Sequence, residues 1–497
     1  PGLGRNLLTF SDNRQDAAFF APYFERTSSD MALRSAIRNV LKNRETPVTA
    51  PQLARSIYQY WQADGQFPVL MDVNGEIVSD AQEATEIILG RIGAEFCTPG
   101  GRRNSVEALG VVSVTYEESK LVGLKQQVRA ILPEGLPGDD ASVHALVHIF
   151  LEHIRRERAL SRFHKVGLRD AFAWGDYNQH RSFDIETGDK AVAFKWLPTV
   201  NQNRHNRRSW YLVGQLGLEK TVALDFLRKF WEILVKPQLA LLERCNPGYG
   251  LNGDLIRFSN GELLPQYVCK SCGLMQQHAI RGKCTAFRCQ GDLEELPVAE
   301  RLLRQSKNHY LASYAESNHF TVRAREHTAS LSTDLREEVE REFADRKLNV
   351  LSCTTTMEMG VDLGDLEAVV NLNVPPGIAN YQQRTGRAGR RAQAAPFCVT
   401  VARNTNYDQA VVKDFSGYLA SSPSVPFLHL DNAELFLRHQ QSILFSHLFR
   451  HRISDRTVNA PSLKHLLGEA FSKDELRQFT EALMSWLESP SGLEALR

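Results

Sequence analysis

The sequence predicts an α/β protein in which a doubly wound parallel sheet is interrupted by a large, mainly helical insertion with a four-cysteine knuckle and is followed by a helical tail. Three observations predict it. Strand-like and helix-like patterns alternate between 334 and 401, and alternation of this kind builds a parallel sheet covered by helices on both faces. About 290 residues separate that run from an isolated apolar strand at Leu7, far more than a loop needs. Four of the eight cysteines cluster between 269 and 289.

The elements follow in order. Leu7-Leu8-Thr9-Phe10 is a buried-type strand that ends in the polar turn Ser11-Asp12-Asn13 and enters a helix. Within the insertion, Met31 to Asn43 and Ser142 to Phe163 have apolar residues three to four apart, as helices require. The stretches from Gly100 to Ser105 and from Pro133 to Asp140 are breaks between them. From Asp334 to Lys347, Leu335, Val339 and Phe343 recur every four residues behind an acidic start. The strand Leu348 to Leu351 follows, then the strand Ala368 to Asn373, a helix over Gly377 to Gln383 and the strand Phe397 to Val401. Pro423 and Pro426 end the pattern, and Glu434 to Leu444 opens a helical tail. No internal repeat or low-complexity tract is visible in the sequence.

The segment Asn380 to Arg391 places arginines at 384, 387, 390 and 391 around Gly386 and Gly389. Planar guanidinium forks repeated at this spacing suit a polyphosphate, and the glycines allow a tight turn that brings Arg387 and Arg390 together. The alternative is a solvated basic helix end. Upstream, the turn Ser352 to Asp365 follows a strand and holds Thr354, Gly360 and Asp362 at T-x5-G-V-D spacing.

Those residues, with Leu7 to Ala17, resemble motifs IV, V and VI of superfamily 2 helicases, in the order those enzymes carry them. Together they resemble the second RecA-like lobe of a DEAD/DEAH-box helicase. The run Met357 to Asp365, Val374-Pro375-Pro376 and Gly389-Arg390-Arg391 is similar to the bacterial helicases that carry a DUF1998 domain and occur in DNA repair and in antiphage systems such as DISARM and Druantia. The resemblance implies roles. Arg387 and Arg390 are expected as arginine fingers toward a γ-phosphate, with Gln383 placing the phosphate or the attacking water. Gly360 and Asp362 are expected to line the nucleotide side. Thr354 is expected on a nucleic-acid phosphate, or as a hydroxyl packed at a strand end; Ser11 and Arg14 are expected to touch the same strand, or to be a capped helix start with a surface arginine.

On this reading 1–30 begin the lobe, 31–260 form the insertion, 261–298 the cysteine module, 299–415 the rest of the lobe and 416–497 a helical extension. No phosphate-cradling loop is present: the nearest match, Gly214 to Thr221, has Glu219 where a glycine is needed. No D-E-x-[DH] box for Mg²⁺ appears either, and the chain starts at Pro1 just ahead of a core strand. The expectation is the carboxyl-side part of a longer protein, whose first lobe supplies most of the ATP and Mg²⁺ contacts. The expected function is an ATP-dependent DNA helicase or translocase, with RNA not excluded and defence-system proteins as possible partners. The competing class is a non-catalytic module that docks nucleic acid or a partner.

Cys269, Cys272, Cys284 and Cys289 form a C-x2-C-x11-C-x4-C pattern. Paired thiolates clamp a tetrahedral ion, so structural Zn²⁺ is expected rather than disulfides or free thiols. Arg281, Lys283 and Arg288 between them could touch phosphate or stay solvated. The remaining cysteines are scattered, which fits a reducing, cytoplasmic setting, and no apolar run long enough to span a bilayer is visible. Whole-chain charge is balanced, 59 basic against 58 acidic residues, so any nucleic-acid contact must be a local patch. Candidates are Arg155, Arg156, Arg158, Arg162 and Lys165, on a helix that also carries Glu152 and Glu157, and Arg204, His205, Arg207 and Arg208 beside Trp210 and Tyr211; the alternative for both is a solvated face.

Overall fold

The computed structural model describes residues 6–64, 70, 78–97, 104–161, 182–185, 193–198, 205–245, 248–315, 321–358, 366–389, 396–423, 432–452, 473–490 and 493. Five strands form one parallel sheet: β1 (Leu7–Phe10), β2 (Ala324–His327), β3 (Val350–Cys353), β4 (Ala368–Asn371) and β5 (Phe397–Thr400), in the order β2-β3-β1-β4-β5. β1 lies at the centre, with Leu7 level with Val350 on one side and Ala368 on the other. Every residue of β3 is buried, as a strand covered on both faces requires. The helix α2 (Thr333–Ala344) is capped by Ser332, whose side chain accepts from the Leu335 amide. It drives Val339 and Phe343 into a core with Leu8, Phe10, Leu351 and Val369. It stops three residues earlier than its periodicity predicts, because Arg346 turns into the left-handed region at φ 61°.

The helix α1 (Arg14–Lys42) links this sheet to the insertion. Asn13 caps it by accepting from the Gln15 amide. Its first half buries Ala17 and Ala21, and Ala21 packs with Ala324 and Val350 of the sheet. Its second half buries Leu33, Ala36, Ile37 and Leu41 in a separate, larger core. One uninterrupted helix therefore crosses the expected boundary at residue 30, with Pro22 accommodated in its interior.

Helices supply most of the regular structure described in the insertion, chiefly Ala50–Asp64, Ala81–Phe96, Glu118–Ala130, Asp140–Arg155 and Lys220–Leu234. Strands too short for an alternating pattern to stand out join them. Val112–Tyr116 pairs antiparallel with Ile256–Asn260, and a small sheet gathers Leu160–Ser161, Tyr249–Asn252, Ser182–Asp184, Ala193–Lys195 and Leu242–Arg244. The helix expected to run to Phe163 ends at Arg155. Arg158 at φ 61° breaks it, and Leu160 and Ser161 pair with Leu251 and Asn252 instead. The cysteine module holds three antiparallel strands, Tyr267–Cys269, Met275–Gln276 and Leu293–Glu295.

From Ala420 onward the chain forms a second compact unit. Its helices Ala433–Arg452 and Lys473–Leu487 meet where Trp486 packs with Leu444, Phe479, Leu483 and Leu487. Among the described residues no helix is long and apolar enough to cross a membrane.

A buried ion pair ties α1 into the insertion. Arg34 donates through Nε to both carboxylate oxygens of Glu95 at 3.0 Å and through Nη2 at 2.9 Å, with both side chains no more than 3% exposed. Glu95 also accepts from the Val106 amide at 3.1 Å. Removing one partner strands the other charge away from water, a loss of about 3–5 kcal/mol. Glu95→Ala should therefore lower the unfolding free energy by about that amount in urea titrations. The double change Arg34→Met with Glu95→Leu should recover most of it, since an apolar replacement leaves no unpaired ion.

Candidate functional site

The turns that leave the carboxyl ends of β1, β3 and β4 converge on one guanidinium. In an open parallel sheet this is the edge at which ligands bind. Arg384, fully buried, lies on the helix α3 (Ile378–Thr385). Its Nε donates to Glu358 at 2.6 Å, its Nη2 reaches Asp12, and its plane sits 5.2 Å from the centre of the Phe10 ring. Asp12 holds Asn373 through its other oxygen. Asn380, Arg384 and Arg387 follow at helical spacing and all end on Glu358: Asn380 donates to its carboxylate at 2.9 Å, Arg384 to the other carboxylate oxygen, and Arg387 to its backbone carbonyl at 2.7 Å. Sequence reasoning assigned no role to Arg384, Asp12 or Glu358. The available signal was that each of the three strand-end motifs carries a charge beside a buried strand.

The expected site residues are placed unevenly. Gln383 is exposed on α3, and Arg14 is exposed at the first turn of α1. Arg387 is only 4% exposed and faces the turn after β3. Thr354 is 6% exposed at the end of β3, where it opens the 3-10 turn Thr355–Met357. Ser11 is fully buried, and its hydroxyl accepts from the Asn13 amide at 3.3 Å. That burial corrects the expectation of a direct phosphate contact at Ser11 and makes it a turn former. Gly360, Asp362 and Arg390 lie outside the described residues.

The four cysteines do come together. Their sulfur atoms all lie within 4.8 Å of one another, with Cys269 to Cys289 at 3.6 Å and Cys272 to Cys284 at 3.7 Å. A tetrahedron of sulfurs about 2.3 Å from an ion has edges of about 3.8 Å, so the donor set matches zinc. Gly273 takes φ 72° immediately after the first pair. Burial raises the Cys269 thiol, but the backbone amides of Cys272 and Ser271 together with hydrogen bonds from the Cys272 and Cys289 thiols bring the group down to about 7. Of the charges between the cysteines, Lys283 pairs with Asp292 at 2.7 Å, Arg281 donates to the carbonyls of Gly135 and Leu216, and Arg288 lies over Phe287.

In both candidate basic patches some of the arginines turn inward. Arg155 is 1% exposed and bound to Glu107 and the Phe96 carbonyl, and Arg156 pairs with Glu152 at 2.6 Å. Arg208 is 3% exposed, 4.3 Å from the Trp196 ring centre, and donates to the carbonyls of Lys195 and Trp196. Tyr211 is fully buried. These charges face inward because they satisfy backbone carbonyls and carboxylates inside the insertion. Arg162, Lys165 and Arg204 lie outside the described residues.

Residues 301–392, which carry β3, β4 and the Arg384 helix, match the helicase conserved C-terminal domain. The chain is similar to proteins named as ATP-dependent helicases. It is 36% identical over 178 residues to the Druantia protein DruE of Escherichia coli, a match that covers 36% of this chain and 10% of that protein. It is 32% identical over 157 residues to an uncharacterised ATP-dependent helicase of Methanocaldococcus jannaschii, covering 31% of this chain and 20% of the relative. A crystal structure of the DUF1998 helicase MrfA bound to DNA aligns with 35% of this chain and 22% of that one, at 22% identity and a TM-score of 0.25. The matched part of this chain thus spans a tenth to a fifth of the length of these curated relatives.

Removing the Arg384 guanidinium would leave the 7%-exposed Glu358 carboxylate without its cation. Arg384→Ala should destabilise the lobe by about 3–5 kcal/mol, read as a lower urea midpoint. Arg384→Lys should rescue little of it, because one ammonium cannot replace a fork that reaches two carboxylates from different elements. An unchanged midpoint in both variants would sink this assignment.

Proposed function

We propose that this chain is the carboxyl-side lobe of an ATP-dependent DNA helicase or translocase that works in bacterial antiphage defence or DNA repair. The observation that carries the proposal is the Arg384 cluster. It joins the Asp12 turn at the end of β1 to Glu358 and Arg384, which lie in the segment that matches the helicase C-terminal domain. ATP with Mg²⁺ would lie between this edge and a first RecA-like lobe that supplies the phosphate loop. Arg390 and Arg387 would then compensate charge developing on the γ-phosphate, with Gln383 beside them. Gly360 and Asp362 would line the nucleotide side, and Thr354 and Arg14 would follow the nucleic-acid strand. Arg387 donates to the Glu358 carbonyl in this conformation, so its approach to a phosphate would accompany lobe closure. The antiphage setting is suggested by the likeness to the Druantia protein of E. coli.

In the complete protein, Arg390→Ala should abolish most DNA-stimulated ATP hydrolysis, a loss of about 10³-fold or more if the residue acts as an arginine finger. DNA binding should be nearly unchanged. A steady-state ATPase assay with single-stranded DNA, duplex DNA and RNA checks this and identifies the track. Turnover that is insensitive to Arg390 would overturn its role as an arginine finger, and no turnover with any polymer in a folded protein would instead support a docking module without catalysis.

The four cysteines would hold one structural Zn²⁺, since four thiols this close cannot ionise together without a cation. Binding requires thiolates, so protons compete and the ion should be released as pH falls. Cys284→Ser should remove the thiolate-to-metal absorption of the cobalt-substituted protein. A band of wild-type intensity would rule the site out.

A further inference from the structure

A second cluster of metal-ligand side chains stands apart from the cysteines. His144 and His148 are one helical turn apart on Asp140–Arg155, so both project from the same face. His278 comes from the cysteine module, between Cys272 and Cys284. A nitrogen from each of the three rings lies within 4.8 Å of the others, and the ring centres are 4.2 to 5.4 Å apart. Glu118, the first residue of Glu118–Ala130, turns Oε1 toward the group, 3.3 Å from Nε2 of His148 and 3.7 Å from Nδ1 of His144. Its other oxygen is taken by Lys125.

Packed as three bare imidazoles, this cluster has a cost. Nε2 of His278 is buried with no hydrogen-bond partner among the described residues, and a buried nitrogen left unmatched loses its hydration without return. One ion would satisfy the unmatched nitrogen and the carboxylate together.

We infer that His144, His148, His278 and Glu118 form a second site for a divalent transition metal, of the kind that imidazole and carboxylate donors favour, with zinc as the first candidate. The three imidazoles supply the first ligands, Glu118 Oε1 stands beside two of them as the candidate fourth, and an ion so held is a structural cross-link. It pins the cysteine module to the helices Glu118–Ala130 and Asp140–Arg155 of the insertion. This is independent of the helicase reading and of the ion held by the four cysteines.

The test is metal counting on the untagged full chain by mass spectrometry, with cobalt titration followed by absorption spectroscopy. Two ions per chain are expected. Cobalt should fill one site with thiolate charge-transfer bands and a second with only the weak d–d bands of nitrogen and oxygen ligands. His144→Ala, at a half-exposed position, should remove the second ion and its bands while leaving the thiolate bands intact, and His278→Gln should do the same. The cobalt titration of the unaltered chain reports even where a variant misfolds. Saturation at one ion per chain, with thiolate bands only, would overturn the inference. So would a second ion that survives in both folded variants.

Discussion

The buried guanidinium of Arg384 is the constraint on which the lobe depends. It joins a turn near the start of the chain, carrying Asp12, to a turn after β3, carrying Glu358, across the whole length of the insertion. A planar fork can satisfy two carboxylates that approach from different directions, and the low dielectric makes each contact strong; the remaining Nη1 is buried with no hydrogen-bond partner among the described residues. The phenyl ring of Phe10 closes the remaining face. The result is a strand-end edge held together by charge-assisted hydrogen bonds between segments far apart in sequence.

Rigidity extends from that edge into the insertion along α1. One end of the helix leaves the Asp12 turn and packs on the sheet, and the other is buried in the second core, where Arg34 grips Glu95. Tyr314, on the returning segment, adds to the same joint: its carbonyl accepts from Ser35 at 2.9 Å and its hydroxyl donates to the Asn104 carbonyl at 2.8 Å. Both the outgoing and the returning strands of chain are therefore anchored at one place. A displacement of the lobe edge would be carried by the helix rather than absorbed in a linker.

Much of the lobe was legible from sequence because its signals are local. Buried parallel strands read as apolar runs, as in Val350 to Cys353, and the four-residue recurrence of Leu335, Val339 and Phe343 marks a helix irrespective of its neighbours. The cysteine cluster was legible for a similar reason, since two tight turns bring each pair together. The basic patches were misread because composition cannot tell a solvated arginine from one that stacks on Trp196 or clamps Glu107. Orientation, not residue type, separates the two.

By itself the sequence determined the alternating strand-helix order, the cysteine ligand spacing and the three strand-end motifs, because each depends on residues close together in the chain. The tertiary structure alone decided that Asp12, Glu358 and Arg384 meet, that Ser11 is a turn former, that α1 runs unbroken between two cores and that His278 reaches His144 and His148. These are contacts between residues tens to hundreds of positions apart. Periodicity carries no information about them, and only the closing of the sheet and the packing of the insertion bring them within reach.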